Sequence, residues 1–456
     1  SVYEKYIING NWFALGENDN TLTWEGTPSG IPGAVYMSAG YSADKDVEGN
    51  TLNFKGNDTD YIRSLYGGYT TKGIAKKNTL NITGGNIKDN AFGGKGNLGA
   101  LENKIDISGG NFKDSYTEIY GGRSEEGEAK GNSALIDKVT FTGSTGQGNT
   151  AIHGGYSQKG EANGNTATIN GGTFKYIANI HGGYSGSASS TNNTATINGG
   201  TFEDIAYIYG GRSQKGEVSG NTATINGGTF KGSNYIYGGR SEQDKASGNT
   251  ATITGGTFKD EAIMHGGYSD KGEAKGNTAT ISGGTFEDSA SILGGYSNKG
   301  KASGNTATIN GGTFKDLTDI YGAYSEQGEA NGNTVTIKGG TFENKAYVYG
   351  GRSAKESATN NKVNLESDDL KLHGIYGGFL NAGDKDHFTG NTLNVRGKNI
   401  KAQYINKFEF LNFYIPKGFD ITKDKMLDLT VGPDLTNSKI GVAMIEGGKL
   451  YKDDKV

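Results

Sequence analysis

An eleven-residue phrase, GNTATINGGTF, returns almost unchanged along the chain at a step of 28 residues. Its asparagine marks the series Asn165, Asn193, Asn221, Asn249, Asn277, Asn305, Asn333 and Asn361. Looser copies continue it back through Asn132, Asn103, Asn78 and Asn50, and forward to Asn391, for 13 marks in all. Repetition on this scale constrains the fold more than any other feature, because a unit this short cannot bury its own few apolar side chains and must stack on its neighbours. Within a unit, Asn165-Thr166-Ala167-Thr168-Ile169 alternates with period two, Gly171-Gly172 interrupts it, Thr173-Phe174 resumes, and Ile180-His181 opens a third extended segment before Gly182-Gly183. No helical period occurs. The expectation is an all-β chain, a parallel β-helix (β-solenoid) of about 13 coils with a 28-residue repeat. Each strand pairs with its copy about 4.8 Å away, and the general crossover rule favours right-handed winding.

Reading down the coils tests this within the sequence. One column holds Ile169, Ile197, Ile225, Ile253, Ile281, Ile309, Ile337 and Leu365, and another Phe174, Phe202, Phe230, Phe258, Phe286, Phe314 and Phe342. A third runs Ile152, Ile180, Ile208, Ile236, Met264, Ile292, Ile320, Val348 and Ile375. These are the expected core ladders. The asparagines share parity with Ala167 and Ile169, so they are expected to turn inward at a corner and bond along the stack. After each Phe the chain reads Lys175, Glu203, Lys231, Lys259, Glu287, Lys315 and Glu343. Mostly alternating signs are what strands about 5 Å apart would select, since like charges in a ladder repel.

Composition fits this scheme. With 79 Gly but 4 Pro, the glycines are expected at corners that need positive φ. Proline is scarce because each backbone N–H is committed to the next coil. Zero Cys excludes a disulfide framework, thiol catalysis and a Cys-ligated zinc. Forty-five Lys+Arg against 49 Asp+Glu, without a basic block, argue against nucleic acid as a partner. No apolar run approaches the ~18 residues of a membrane helix. Residues 1–34, with Trp12 and Trp24, are expected to be an N-terminal cap, 35–399 the repeat array, and 400–456 a more apolar C-terminal β cap with hairpin-like turns. No signal peptide precedes Ser1, which reads as a processed or excised segment.

Tandem NTATINGGTF…IYGGYS coils closed by FLNFYIPKGFDITKDKMLDLTV…LTNSKIGVAMI resemble the passenger domains of Gram-negative autotransporter adhesins. The resemblance covers most of the chain. It implies a right-handed β-helix at the bacterial cell surface or outside it, adhesion to a host or bacterial surface protein or glycan, and an autochaperone-like C-terminal segment. It also implies an outer-membrane translocator barrel outside this chain, whose alternating strands of about ten residues are not found here.

The candidate ligand-binding residues are a Tyr/Arg column, Tyr156, Tyr184, Arg212, Arg240, Tyr268, Tyr296, Tyr324 and Arg352. Before the neighbouring Gly pair lies an aromatic column that includes Tyr120, His153, His181, Tyr209, Tyr237, His265, Tyr321 and Tyr349. Together they read as an outward aromatic strip able to stack on glycans or anchor proteins. The competing structural reading is that rings and guanidiniums stack on one another and stiffen the array. His153 and His181 would be adjacent, but tyrosine in sister coils points to an aromatic role, so no metal and no cofactor are expected.

The pairs Thr166/Thr168 through Thr334/Thr336 form a two-wide hydroxyl array resembling the face of ice-binding β-solenoids. A polysaccharide-active β-helix enzyme is the third class. It would need an irregular cluster of acids or bases in one cleft, whereas here charges repeat as ladders. The expected function is therefore adhesion without enzymatic activity, with lateral self-association open to a periodic face. If a discrete site interrupts the array, residues 137–150, in the longest spacing, are its place.

Overall fold

A computed structural model describes residues 7–8, 12–25, 36–57, 61–113, 116–142, 148–379 and 383–444. Residues 143–147 of the 137–150 insertion, parts of the 1–34 segment and residues 445–456 lie outside the described residues. The chain divides into two compact units, Ser1–Arg240 and Ser241–Val456. Each is a parallel β-solenoid, and there is no helix among the described residues.

In the first unit one coil runs through Ile177–Ser185, Ser190–Thr191, Thr194–Ile197 and Thr201–Phe202. Each segment pairs in parallel with its copy, matching Ile180 to Ile208, Thr191 to Ser219, Ile197 to Ile225 and Phe202 to Phe230. In the second unit Ala262–Ser269, Ala274–Lys275, Thr278–Ile281 and Thr285–Phe286 do the same, with Met264 on Ile292, Ile281 on Ile309 and Phe286 on Phe314. The predicted apolar columns are the core. Phe202 lies 4.7 Å, centroid to centroid, from both Phe174 and Phe230, and Phe314 lies 4.7 Å from Phe286. The Ile169 and Ile309 side chains are fully buried.

The asparagines turn inward and bond along each unit, as their parity requires. Asn165 Nδ2 donates to Asn193 Oδ1 at 3.0 Å and to the Ala129 carbonyl at 2.8 Å. Its own Oδ1 accepts from the backbone N–H and the Nδ2 of Asn132. Both amide donors and both acceptor sites are thus used, which is the condition for burying an amide at little cost. Asn277, Asn305 and Asn333 repeat the arrangement in the second unit.

The molecule makes about 15 turns, more than the 13 marks in the sequence, because both ends extend the stacking. Trp12–Gly16 pairs in parallel with Tyr36–Ser42, and Thr21–Trp24 with Thr51–Lys55. Asn20 Nδ2 donates to Asn50 Oδ1 at 2.8 Å, so the ladder begins one coil earlier than the phrase does. At the other end Phe410–Ile415 pairs in parallel with Thr392–Val395 and with Lys439–Met444, in place of the expected hairpin-like turns. Large apolar residues such as Leu411 there continue the core columns.

The two glycine pairs of each unit serve different ends. Gly172, with φ 111°, is the corner glycine the sequence anticipates. The Gly182–Gly183 pair is needed for space instead. A Cβ on Gly182 would lie 2.4 Å from the Gly210 carbonyl oxygen, and one on Gly183 would lie 2.2 Å from the Asn193 side chain.

Candidate functional site

The pairing register steps over Gly182, so His181 matches Tyr209 and the next match is Gly183 with Gly211. A regular strand alternates faces every residue. The irregular step shifts that phase, so His181 and Tyr184, three residues apart, both stand outside the core on the same side. Their rings meet edge to face at 5.7 Å. Repetition over coils turns this corner into two parallel files, an inner one at the His181 position and an outer one at the Tyr184 position.

The inner file is a continuous ring stack in the first unit, whereas in the second Leu293 stands between His265 and Tyr321. In the first unit Tyr66, Phe92, Tyr120, His153, His181, Tyr209 and Tyr237 follow one another at centroid distances of 4.6 to 5.1 Å and within 10° of parallel. In the second unit Tyr321, Tyr349 and Tyr376 stack at 4.8 and 4.9 Å. These rings lie outside the solenoid core yet are buried, His181 to 4% exposure, apart from Tyr349, which is half-buried. Each ring covers the faces of the next.

The outer file, half-buried except at the buried Tyr184, holds the candidate residues. Tyr156 stacks on Tyr184 at 4.9 Å, and its hydroxyl donates to Gln158 at 2.6 Å. Arg212 lies over Tyr184 and Tyr209, at 5.8 and 5.2 Å, and Arg240 lies 5.3 Å over Tyr237. In the second unit Tyr268 stacks on Tyr296 at 4.9 Å, Tyr296 meets Tyr324 edge-on at 5.5 Å, and Arg352 lies 4.9 Å over Tyr324. All eight candidate residues therefore lie in the strip, with rings and guanidiniums packed against one another. The faces a stacking sugar would need are largely taken by neighbouring rings and guanidiniums; edges, hydroxyls and guanidinium rims remain for a ligand.

Burial governs the titration of these groups. Desolvation, followed by the charges of Arg123 and Arg212, lowers His153 to about 3. His181 is pushed well below its ordinary range by burial, then by His153 and Arg212. His153 Nδ1 and both His181 ring nitrogens have no partner among the described residues. The two imidazoles lie 10° from parallel at 4.6 Å, so their lone pairs run side by side and do not converge on one ion. Among the described residues no group of three or more His, Cys, Asp or Glu is placed to hold a metal. Burial, then the neighbouring Tyr268, raises Tyr296 to about 12.

The threonine columns stand on another sheet. Thr166 and Thr168 match Thr194 and Thr196, with Ala167 and Ile169 between them turned into the core. The charge files form exposed ion pairs, Lys231 with Glu203 at 3.7 Å and Lys301 with Glu329 at 3.1 Å. Such pairs steer register more than they stabilise. The strip's depth is not legible in the repeat phrase, because the burial of its rings follows from the shift of phase at Gly182. No protein-family profile, curated protein or solved structure matches this chain.

Proposed function

We propose that the protein is a non-catalytic adhesive segment displayed at a bacterial cell surface. It presents a periodic outer face to a host or bacterial surface protein or glycan. The observation that supports this reading is that the outward chemistry repeats coil by coil in each unit. Threonine, charge and Tyr/Arg files recur at the strand spacing, an arrangement suited to many weak identical contacts and poorly suited to one concentrated reaction centre. Contacts of this kind add by avidity. The resemblance of the repeat phrase and C-terminal segment to autotransporter passengers supports the surface location, with the translocator barrel supplied outside this chain.

The test is binding of the whole chain to epithelial and bacterial cells. The wild type is expected to bind saturably. The combined variant Tyr156→Ala, Tyr184→Ala, Arg212→Ala is expected to bind at least about tenfold more weakly if the outer file makes contacts worth more than about 1.4 kcal/mol. Equal binding by a folded triple variant assigns the strip a structural role alone. Absence of saturable binding by the wild type contradicts the adhesive reading.

A second reading, ice binding, draws support from the register of the threonine pairs, which places hydroxyls on a regular outward grid. It predicts thermal hysteresis that vanishes on replacing Thr196 and Thr224 by Lys.

A further inference from the structure

Two places in the strip bring together a carboxylate, a tyrosine and an arginine. In the first unit the set is closed. Tyr120 donates its hydroxyl hydrogen to Glu118 at 3.0 Å, Arg123 donates to the Tyr120 oxygen at 2.9 Å, and Arg123 Nε donates to Glu125 at 2.9 Å. Each of these groups has an internal polar partner.

In the second unit the set is open. Asp319 stands two residues before Tyr321, as Glu118 stands before Tyr120, but its side chain is one methylene shorter. It makes no hydrogen bond or ion pair with any described residue, although it is only half-buried and open to solvent. The arginine comes from the following coil. Arg352 donates to the Tyr321 hydroxyl at a long 3.3 Å, and its Nε is buried without an acceptor. Glu326, two residues after Tyr324 as Glu125 is two after Arg123, is engaged by the Tyr324 hydroxyl and is not free to serve. The guanidinium lies among Tyr324, Tyr349 and Phe379, at 4.9, 5.8 and 4.2 Å from the ring centres. That packing fixes the direction of its donors. Burial raises the Asp319 carboxyl above its ordinary value, against the opposing pull of Arg352.

A carboxylate without a donor and a guanidinium whose side-chain acceptor is the Tyr321 hydroxyl thus lie on paired strands of adjacent coils. The carboxylate disfavours an anionic ligand and the guanidinium disfavours a cationic one. The complement is neutral and offers donors and acceptors on adjacent atoms, with apolar C–H groups to lie against ring edges. We propose that Asp319, Tyr321 and Arg352 form a binding site for a neutral glycan, recognised through a pair of neighbouring hydroxyls. This rests on the adhesive reading and deepens it by naming the ligand class.

The test is saturation-transfer NMR on the whole chain, with methyl α-mannoside, methyl β-galactoside, methyl β-glucoside and methyl α-fucoside as probes. Transfer to at least one probe is expected. Affinity should fall about tenfold in Asp319→Asn, the scale of one charge-assisted hydrogen bond. It should fall similarly in Arg352→Lys, which keeps the charge and loses the planar fork. Glu118→Gln, in the closed set, should bind like the wild type. Matching circular dichroism and melting curves establish that each variant is folded. No transfer to any probe, or undiminished transfer to Asp319→Asn, overturns the site. Cell binding by the same proteins separates the two readings. Cell binding with no sugar transfer removes this site alone, whereas a wild type that binds no cell removes the adhesive reading.

Discussion

Each ladder asparagine in the interior of a unit closes its hydrogen bonds with the asparagines before and after it, so deleting one damages three. In Asn165→Ala, Asn132 loses the acceptor for its backbone N–H and its Nδ2, and Asn193 Oδ1 loses the Nδ2 donor while keeping the backbone N–H of residue 165. With about 1–3 kcal/mol for each buried group left unpaired, the variant should lose about 3 kcal/mol in urea unfolding; a loss under 1 kcal/mol would mean that water replaces the amide. The stacked histidines make a second prediction. His153 keeps its neutral form to about 3 in the native state, while an unfolded histidine takes up its proton near 6.5. The unfolded state therefore binds more protons as pH falls below 6.5, and native stability declines from there toward pH 3. At pH 5 the His153 contribution to that decline is about 2 kcal/mol. His181, lowered in the same direction, adds to it. His153→Phe with His181→Phe should flatten the pH dependence of the melting temperature between 7 and 4.5; an unchanged slope would place the acid sensitivity elsewhere.

At the scale of the strand and its corner, the glycines separate two physical demands. Gly164 has φ 64° with open space around it, and its counterpart one coil on is Asn192 at φ 54°. Gly164→Asn should therefore change stability by less than about 0.5 kcal/mol, since asparagine tolerates that conformation. Gly182→Ala drives a methyl into two backbone carbonyls that cannot retreat. It should cost about 3 kcal/mol or more and loosen the aromatic strip, visible as a changed near-ultraviolet dichroism. Equal effects at the two positions would contradict the distinction. The sequence disclosed the Ile, Phe and Asn files because those side chains are set by one fixed environment repeated every turn. It did not disclose that Gly182–Gly183 differs from Gly171–Gly172, since a glycine kept for space and one kept for φ are the same letter. Nor did it reveal that Asp319 fails where Glu118 succeeds. That difference lies in one methylene and in an arginine borrowed from the next coil.

For the molecule as a whole, the ends were the least legible part. Trp24 fills the core place that Phe54 and Ile82 hold in the next two coils, without repeating their side chain or the surrounding phrase. At the other end Leu427 and Leu429 match Ile400 and Ala402 but are only half-buried, and Ile440 is 54% exposed. Amide exchange should accordingly be faster in 427–444 than in 362–395, because fewer apolar contacts hold the terminal coil closed. Everything proposed about function depends on register, since only strict stacking turns isolated side chains into files. The absence of cysteine allows a direct measurement on the unaltered background. Thr168 and Thr196 face outward on paired positions of adjacent coils, and paired parallel strands lie within disulfide reach. Under mild oxidation, Thr168→Cys with Thr196→Cys should form an intramolecular disulfide in high yield, and Thr168→Cys with Thr224→Cys, two coils apart, should not. Equal yields from the two pairs, or none from the first, would contradict stacking at 28-residue register.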